Sequence, residues 1–282
     1  MKSMLTNPCA KINLGLYVTG RRPDGYHDLL TVFYPIPLSD TLEVELSKTN
    51  DWSLRTVGIK VEGKMADNLV ARVYLALRKE FDLPPVDIYL DKHIPTGAGM
   101  GGGSSDAAET MKLLNAMFAL GLSEEEMARR LAAFGADCPF FVSRNPVLAT
   151  GIGDVFSPVS VSLKGYTLAL VKPPVFVSTR EAYAGVDDIV RSSTPTVESL
   201  AAALAKPVST WRGVVENDFE TSVFRAHPEI AAVKATLYDM GADFALMSGS
   251  GSTVFALFRH RVDELPRVFR DCFTYQSLLR DF

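Results

Sequence analysis

Several stretches of the chain alternate between apolar and polar residues, which is the pattern of half-buried β-strands. In "AKINLGLYV", the apolar side chains of Ala10, Ile12, Leu14, Leu16 and Val18 share one face. "TLEVEL" and "VDIYL" alternate in the same way, and "YTLALV" is a continuous apolar run. "ADFALM" and "STVFALF" predict two further strands around the small-residue turn "SGSGS".

Helical signals lie between these strands. Asn68 is a predicted N-cap for "LVARVYLALRKEF". Four apolar residues after a glycine-rich stretch keep helical spacing and predict a helix that ends at Gly121: Ala107, Met111, Leu114 and Phe118. Ser123 and Glu126 form a capping box for another helix, which we expect Gly135 to stop.

The second half mixes the two kinds of element. Short helices are predicted to start near Ser178, Thr196 and Pro228, and the last stretch predicts a helix and then a strand. This mixed order favours an α+β fold over a doubly wound parallel sheet. We expect a boundary between residues 157 and 165, which gives domains of residues 1–160 and 161–282 that pack closely.

Composition and charge exclude several partners. The chain has 282 residues, 47% of them apolar, which suits one large domain or two intimate ones. The net charge is −4, so there is no broad positive field and we expect no nucleic-acid partner. There is no apolar run of membrane-spanning length and no apolar segment after Lys2 that would make a signal peptide.

The cysteines and histidines carry little chemistry of their own. Cys9, Cys138 and Cys272 are widely spaced and odd in number, which argues against a disulfide framework and favours the reducing cytoplasm. The four histidines show no metal-ligand spacing with each other or with cysteine, so we expect no metal held by protein side chains alone.

The glycine-rich stretch "PTGAGMGGGSSDAA" is the strongest functional signal. Glycine weakens ordinary elements by roughly 0.5–1 kcal/mol relative to alanine, so its density needs a reason. A helix N-terminus binds phosphate when the preceding backbone lets it approach, and two serines could cap the helix and donate hydroxyl groups. The residues predicted to bind a nucleotide are Pro95, Thr96, Gly97, Ala98, Gly99, Met100, Gly101, Gly102, Gly103, Ser104 and Ser105.

Three alternatives compete with this interpretation. The stretch could be a mobile surface loop before a serine-capped helix. Gly97, Gly99 and Gly102 also fit the dinucleotide fingerprint G-x-G-x-x-G, but Pro95 separates them from the strand and no acidic residue closes a following strand. "GIKVEGKM" nearly spells a Walker A motif, but Met65 cannot bind magnesium, and we expect a strand and turn there.

The glycine-rich stretch resembles the phosphate loop P-x-G-x-G-L-G-S-S-A of the GHMP kinases, the superfamily that includes galactokinase, homoserine kinase and mevalonate kinase. Met100 stands where leucine is common. Four other segments match in the expected order: "AKINLGLYVTGRRPDGYHDLLTVF", "GADCPFF", "ENDFE" and "MSGSGSTVFALF". Cys138 and Asp154 depart from the usual residues, and residues 142–215 match only loosely.

The resemblance implies a fold and an activity. The expected fold is α+β and two-lobed, with an N-terminal mixed lobe that carries the phosphate loop and a ferredoxin-like C-terminal lobe. The extra glycine and the "SSDAA" ending narrow the match to GHMP kinases whose reaction transfers the γ-phosphoryl group of ATP to the 2-hydroxyl of 4-diphosphocytidyl-2-C-methyl-D-erythritol. The resemblance implies this reaction, with Mg²⁺ held mainly by the phosphates. "RPDGYH" argues against a homoserine kinase, and the presence of Lys11 and Asp137 argues against a catalytically dead nucleotide sensor.

The same match implies roles for single residues. Asp137 is the expected base and Lys11 its partner, although a turn-capping aspartate and a lysine at a strand edge are the plain alternatives. Asn13, Tyr26 and His27 match substrate-binding residues, and an aromatic face with ring nitrogens suits a cytosine. A second stacking residue, Phe176, is a further hypothesis, and "SGSGS" is expected to lie over the reacting phosphates rather than to form a simple hairpin turn.

Overall fold

The computed structural model describes residues 3–61, 63–186 and 194–280. It divides into two compact units that are each built from several segments of the chain. The first unit comprises residues 1–10, 38–96 and 101–144, and the second comprises residues 11–37, 97–100 and 145–282. The sequence-based boundary at residue 160 stays a prediction.

The structure contains twelve strands and nine helices within the described residues. The strands are β1 (Ser3–Thr6), β2 (Cys9–Arg21), β3 (His27–Ser39), β4 (Thr41–Leu46), β5 (Ser53–Gly58), β6 (Val86–Lys92), β7 (Val147–Thr150), β8 (Val155–Pro158), β9 (Thr167–Lys172), β10 (Phe244–Met247), β11 (Val254–Phe258) and β12 (Phe273–Leu278). The helices are α1 (Leu69–Phe81), α2 (Gly102–Phe118), α3 (Glu124–Leu131), α4 (Phe140–Ser143), α5 (Thr179–Ala184), α6 (Val197–Leu204), α7 (Phe219–Ala226), α8 (Pro228–Asp239) and α9 (Leu265–Val268).

The first unit is a four-stranded sheet with helices packed on it. The strand order is β1-β4-β6-β5, and only β5 and β6 run parallel. Helix α2 contacts β1, β4 and the helices α1, α3 and α4. Its apolar residues follow the predicted spacing. Buried residues occur on most sides of the helix, so α2 lies at the centre of this unit.

The second unit contains two more four-stranded sheets. One has the order β2-β3-β7-β8, and the other has the order β10-β11-β9-β12 with antiparallel pairing throughout. The elements of the latter follow the chain order strand, helices, strand, strand, helix, strand, which is the ferredoxin-like arrangement. One face of this sheet packs against α5, α7 and α8 in a continuous apolar core. The predicted α+β fold is confirmed.

Local signals determined most element boundaries, with three corrections. Asn68 Oδ1 accepts from the backbone N–H of Val70 and caps α1 as predicted, and the Ser123–Glu126 capping box is present at α3. The end of α2 at Gly121 was wrong by two residues, because Ala119 takes the left-handed conformation first. Gly135 does not stop α3 either, because that helix ends at Leu131, four residues earlier.

The third correction concerns the two serines. Ser104 and Ser105 do not cap α2, because the helix begins at Gly102 and Gly101 occupies the N-cap with a φ of 68°. Both serines therefore lie inside the first turn, where their backbone N–H groups belong to the helix start.

Candidate active site

The glycine-rich loop turns its backbone outward and its side chains inward. Ala98 and Met100 are buried, whereas Gly97 is exposed and Gly99 is partly exposed. Gly97 and Gly99 have φ values of 59° and 75°, which non-glycine residues rarely adopt. The loop thus presents backbone groups that a phosphate can approach closely.

Three neighbours in the second unit hold this loop. The backbone N–H of Lys11 donates to the carbonyl of Met100 at 3.0 Å, and Ser248 Oγ donates to the carbonyl of Gly99 at 2.9 Å. A Cβ atom at Gly99 would overlap the Ser248 carbonyl. At Gly97 a Cβ would lie 2.7 Å from the ring of Phe176. Both positions therefore require glycine for space as well as for conformation.

Two hydrogen bonds from Asn217 hold the "SGSGS" turn in place. Asn217 Nδ2 donates to the carbonyls of Met247 and Gly249, at 2.7 and 2.8 Å. Asn217 belongs to the "ENDFE" segment, and its place in the chain gave no hint of this role. The turn connects β10 and β11 and, through Ser248, contacts the glycine-rich loop. It does more than reverse the chain.

Lys11 is buried on β2, with only 3% of its surface exposed. Its Nζ donates to Asn13 Oδ1 at 2.8 Å and lies 4.7 Å from the centre of the Phe33 ring. Asn13 Nδ2 in turn donates to Thr31 Oγ1 at 2.9 Å, and Thr31 donates to the carbonyl of Gly15. These bonds orient the lysine ammonium. Phe33 and Thr31 are supporting residues that the sequence analysis did not single out.

In the first unit, Asp137 lies in the turn between α3 and α4 and is partly exposed. The turn is held by the backbone N–H of Cys138, which donates to the carbonyl of Gly135 at 3.1 Å. A Cβ at Gly135 would lie 3.9 Å from Ser104 Oγ, so this turn packs beside the first turn of α2. Burial raises the pKa of the Cys138 thiol to about 11, which keeps it a neutral packing residue.

The aromatic candidates lie in the second unit, around the β2–β3 hairpin. Tyr26 is 62% exposed, and its backbone N–H donates to Asp24 Oδ1 in the turn. His27 stacks on Tyr183, with ring centres 5.0 Å apart and an angle of 22° between planes. Tyr183 is fixed by an edge-to-face contact with Phe219. Tyr183, which the sequence analysis missed, is thus the ring that His27 meets.

Phe176 keeps 69% of its surface exposed although it covers Gly97. A large apolar side chain with that exposure beside a phosphate-loop candidate suits contact with a ligand. The ring of Phe176 contacts the glycine-rich loop at Gly97. Its stacking on cytosine stays a hypothesis.

No α-helix begins within the described part of the Walker-like segment. Strand β5 ends at Gly58, and the short 3-10 turn Met65–Asp67 follows before α1. Glu62 lies outside the described residues. In the described part of "GIKVEGKM", only Gly58 belongs to a strand, so the predicted strand is confined to the first residue of the segment.

The described residues hold neither a cluster of metal ligands nor a membrane-spanning helix. Over 3–61, 63–186 and 194–280, no group of three or more His, Cys, Asp or Glu side chains could hold a metal ion. In that same part of the chain, no helix has both the length and the apolar character needed to cross a membrane.

Comparisons with known proteins identify the family to which the chain is similar. The family model for the GHMP kinases N terminal domain matches residues 68–145, and the model for the GHMP kinases C terminal matches residues 196–273. A 4-diphosphocytidyl-2-C-methyl-D-erythritol kinase of Bacteroides fragilis is 50% identical over 98% of this chain and 100% of its own. One from Porphyromonas gingivalis is 47% identical over the same shares.

Solved structures give the same result for the fold. A crystal structure of 4-(cytidine 5'-diphospho)-2C-methyl-D-erythritol kinase superposes with a TM-score of 0.79 at 33% identity, over 97% of this chain and 98% of that one. A homoserine kinase from Cytophaga hutchinsonii superposes with a TM-score of 0.65 at 15% identity, over 98% and 95% of the two chains. The second likeness extends to the fold alone.

Proposed function

The chain belongs to the GHMP kinases and, within them, to the family of 4-diphosphocytidyl-2-C-methyl-D-erythritol kinases, and we propose that it phosphorylates the 2-hydroxyl of 4-diphosphocytidyl-2-C-methyl-D-erythritol with ATP. The observation that carries this proposal is the seating of Gly99 against Ser248 and of Met100 against the backbone of Lys11. A loop with outward backbone, and with no room for a side chain at Gly99, suits polyphosphate.

In this proposal Asp137 accepts the proton of the attacking hydroxyl. Phosphoryl transfer needs positioning and charge stabilisation more than covalent chemistry, so a base and a cation at the hydroxyl are the main demands. Lys11 supplies the cation. An ammonium group near the substrate hydroxyl favours the deprotonated form of that hydroxyl. Its bond to Asn13 holds the ammonium in one direction, which supports a shared role for the pair in binding substrate.

ATP binds along residues 95–105 in this account, with its phosphates over the glycines and the first turn of α2. Mg²⁺ would be held mainly by the phosphate oxygens and would neutralise their charge during transfer. The loop that contains Ser248 closes against the same glycines, which supports a role in covering the phosphates.

The cytidine end of the substrate is assigned to Tyr26 and His27. Tyr26 offers an exposed ring face, and the ring of His27, which carries two nitrogens, is held by stacking on Tyr183. A cytosine base needs both a stacking face and edge hydrogen bonds, and we assign these to Tyr26 and His27.

The three free cysteines support the expectation of a reducing, cytoplasmic compartment.

Coupled measurement of ADP release tests the proposal. The purified protein is given ATP, Mg²⁺ and one acceptor at a time: the diphosphocytidyl substrate, homoserine or mevalonate. We expect turnover with the first and none above background with the other two. Turnover with homoserine or mevalonate alone would contradict the substrate assignment while leaving the kinase fold intact.

A further inference from the structure

Three ionisable side chains are buried together in the first unit. Lys92 is the last residue of β6, and its Nζ donates to Asp106 Oδ2 at 2.6 Å and to Asp40 Oδ2. All three residues are buried. Burying such a group is expensive, and apolar residues of similar volume often stabilise a fold as well, so stability alone explains this cluster poorly.

The cluster joins the two ends of the glycine-rich loop. On one side, Asp40 Oδ1 accepts the backbone N–H groups of His93 and Ile94, at 2.5 and 2.8 Å, just where the chain leaves β6. On the other side, Asp106 belongs to α2, which begins where the loop ends. Both attachments meet at Lys92.

Close packing reinforces this connection. A Cβ atom at Gly102 would lie 2.8 Å from Ile94 Cγ2 and 3.4 Å from Lys92 Nζ. The start of α2 therefore rests directly on the exit of β6. The Lys92–Asp106 bond therefore lies at the point where the two ends of the loop meet.

The charge of the cluster depends on pH. Burial raises the pKa of Asp106 to about 7, with the attraction of Lys92 opposing this and the repulsion of Asp40 adding to it. Two charged groups face Asp106. They are Lys92, at the end of β6, and Asp40, which is the single residue between β3 and β4. Asp106 Oδ1 is buried and has no hydrogen-bond partner, which disfavours a negative charge there.

The cluster is close enough to the helix start to matter for a bound anion. Asp106 follows Gly102 by four residues, or about 6 Å along the helix axis. That separation is shorter than the Debye length at physiological ionic strength, about 8 Å. An ionised Asp106 leaves two carboxylates against one ammonium.

We propose that Asp106 is a positioning residue for the glycine-rich loop, acting through Lys92 to fix the two loop ends. Ionisation of Asp106 adds a negative charge near the helix start and so weakens the binding of an anionic nucleotide. The inference rests on the proposed function, in which the loop binds ATP. Asp106 touches no reacting atom, so its effect should fall on the KM for ATP and leave kcat nearly unchanged.

The test compares Asp106→Ala with Asp106→Asn. Alanine removes the acceptor for Lys92, and we expect the KM for ATP to rise about tenfold or more with kcat within about threefold of the original. Asparagine keeps an oxygen for Lys92 and should restore the KM to within about threefold near pH 6. If Asp106→Ala does not fold, Asp106→Ser serves instead, because its hydroxyl is too short to reach Lys92.

The matched control is Glu109→Ala on the same helix. Glu109 is also buried and bonded to Lys112 and Arg144, but it contacts neither loop end. We expect it to lower the melting temperature and leave the KM for ATP unchanged. If the Asp106 variant behaves like this control, Asp106 is merely structural and the positioning role is overturned.

A pH series tests the charge. Between about pH 6 and about pH 8, the KM for ATP should rise more in the original protein than in Asp106→Asn, because only the former ionises there. Parallel profiles would overturn the electrostatic part. A protein that binds no ATP at all would instead contradict the proposed function, so the two failures are distinguishable.

Discussion

Replacing Gly99 by alanine should damage ATP binding far more than it damages the fold. Gly99 has a φ of 75°, and left-handed backbone costs a residue with a Cβ about 1–2 kcal/mol. The added methyl also overlaps the Ser248 carbonyl, so the loops must separate and the 2.9 Å bond from Ser248 Oγ to Gly99 is lost. Such a bond contributes about 1 kcal/mol.

Together these terms give about 2–3 kcal/mol against the conformation that binds nucleotide. Since about 1.4 kcal/mol is a factor of ten, the KM for ATP should rise roughly 30- to 150-fold. The assay is steady-state ADP release at varied ATP with saturating acceptor, accompanied by a melting curve.

Gly121→Ala is the matched control. Gly121 has nearly the same φ, 72°, but no atom lies within 4 Å of an added Cβ. The melting temperature of the Gly121→Ala variant should fall by roughly 2 °C because of backbone strain, and its KM for ATP should stay unchanged. Equal KM values in Gly99→Ala and the original protein, or equal increases in both variants, would refute the close approach of nucleotide to this loop.

Three further predictions use single substitutions. Asp137→Asn should lower kcat by about 10²–10⁴-fold while ATP still binds in a direct titration, because the base is lost and the loop is not; retention of most of kcat would reject the assignment. Tyr26→Ala should raise the KM for the cytidine substrate about tenfold, since base stacking contributes roughly 1–3 kcal/mol, whereas Tyr26→Phe keeps the ring and should change it little. For Glu109, burial works to raise the pKa, but bonds to Arg144 and Lys112 outweigh it and the pKa lies below its ordinary value. The ionised Glu109 therefore stabilises the fold at any pH above its ordinary pKa, and this stabilisation is lost as the pH falls through the lowered pKa. Glu109→Gln has no such group to protonate, so its melting temperature should fall less on acidification than that of the original protein.

Elements with a local physical cause were predictable from the sequence. Asn68 caps α1 through an N–H only two residues away, and the Ser123–Glu126 box spans three residues. The start of α2 was harder, because Gly101 reaches the left-handed region and begins the helix before the serines. A glycine cap leaves no side-chain signal to detect.

The supports of the candidate site depend on distant contacts, which the sequence does not reveal. Asp40, which accepts a hydrogen bond from Lys92, is 52 positions away from it along the chain. His27 stacks on Tyr183, which lies in a region that matched the family only loosely. The alternation around Lys11 marked a buried charge as unusual, but Thr31 and Phe33 became visible only once β3 was placed beside β2. Tertiary proximity, which periodicity cannot encode, positions these groups.

The position of the transferred phosphate tests the central claim most directly. The protein is incubated with ATP, Mg²⁺ and 4-diphosphocytidyl-2-C-methyl-D-erythritol, and the product is analysed by mass spectrometry and ³¹P NMR. Carbon 2 of the acceptor carries a methyl group and no hydrogen, so a phosphate on its hydroxyl shows no three-bond coupling to a proton. We predict one added phosphate whose new ³¹P signal is an uncoupled singlet. A new signal split by carbinol protons, or a product without an added phosphate, would contradict the account.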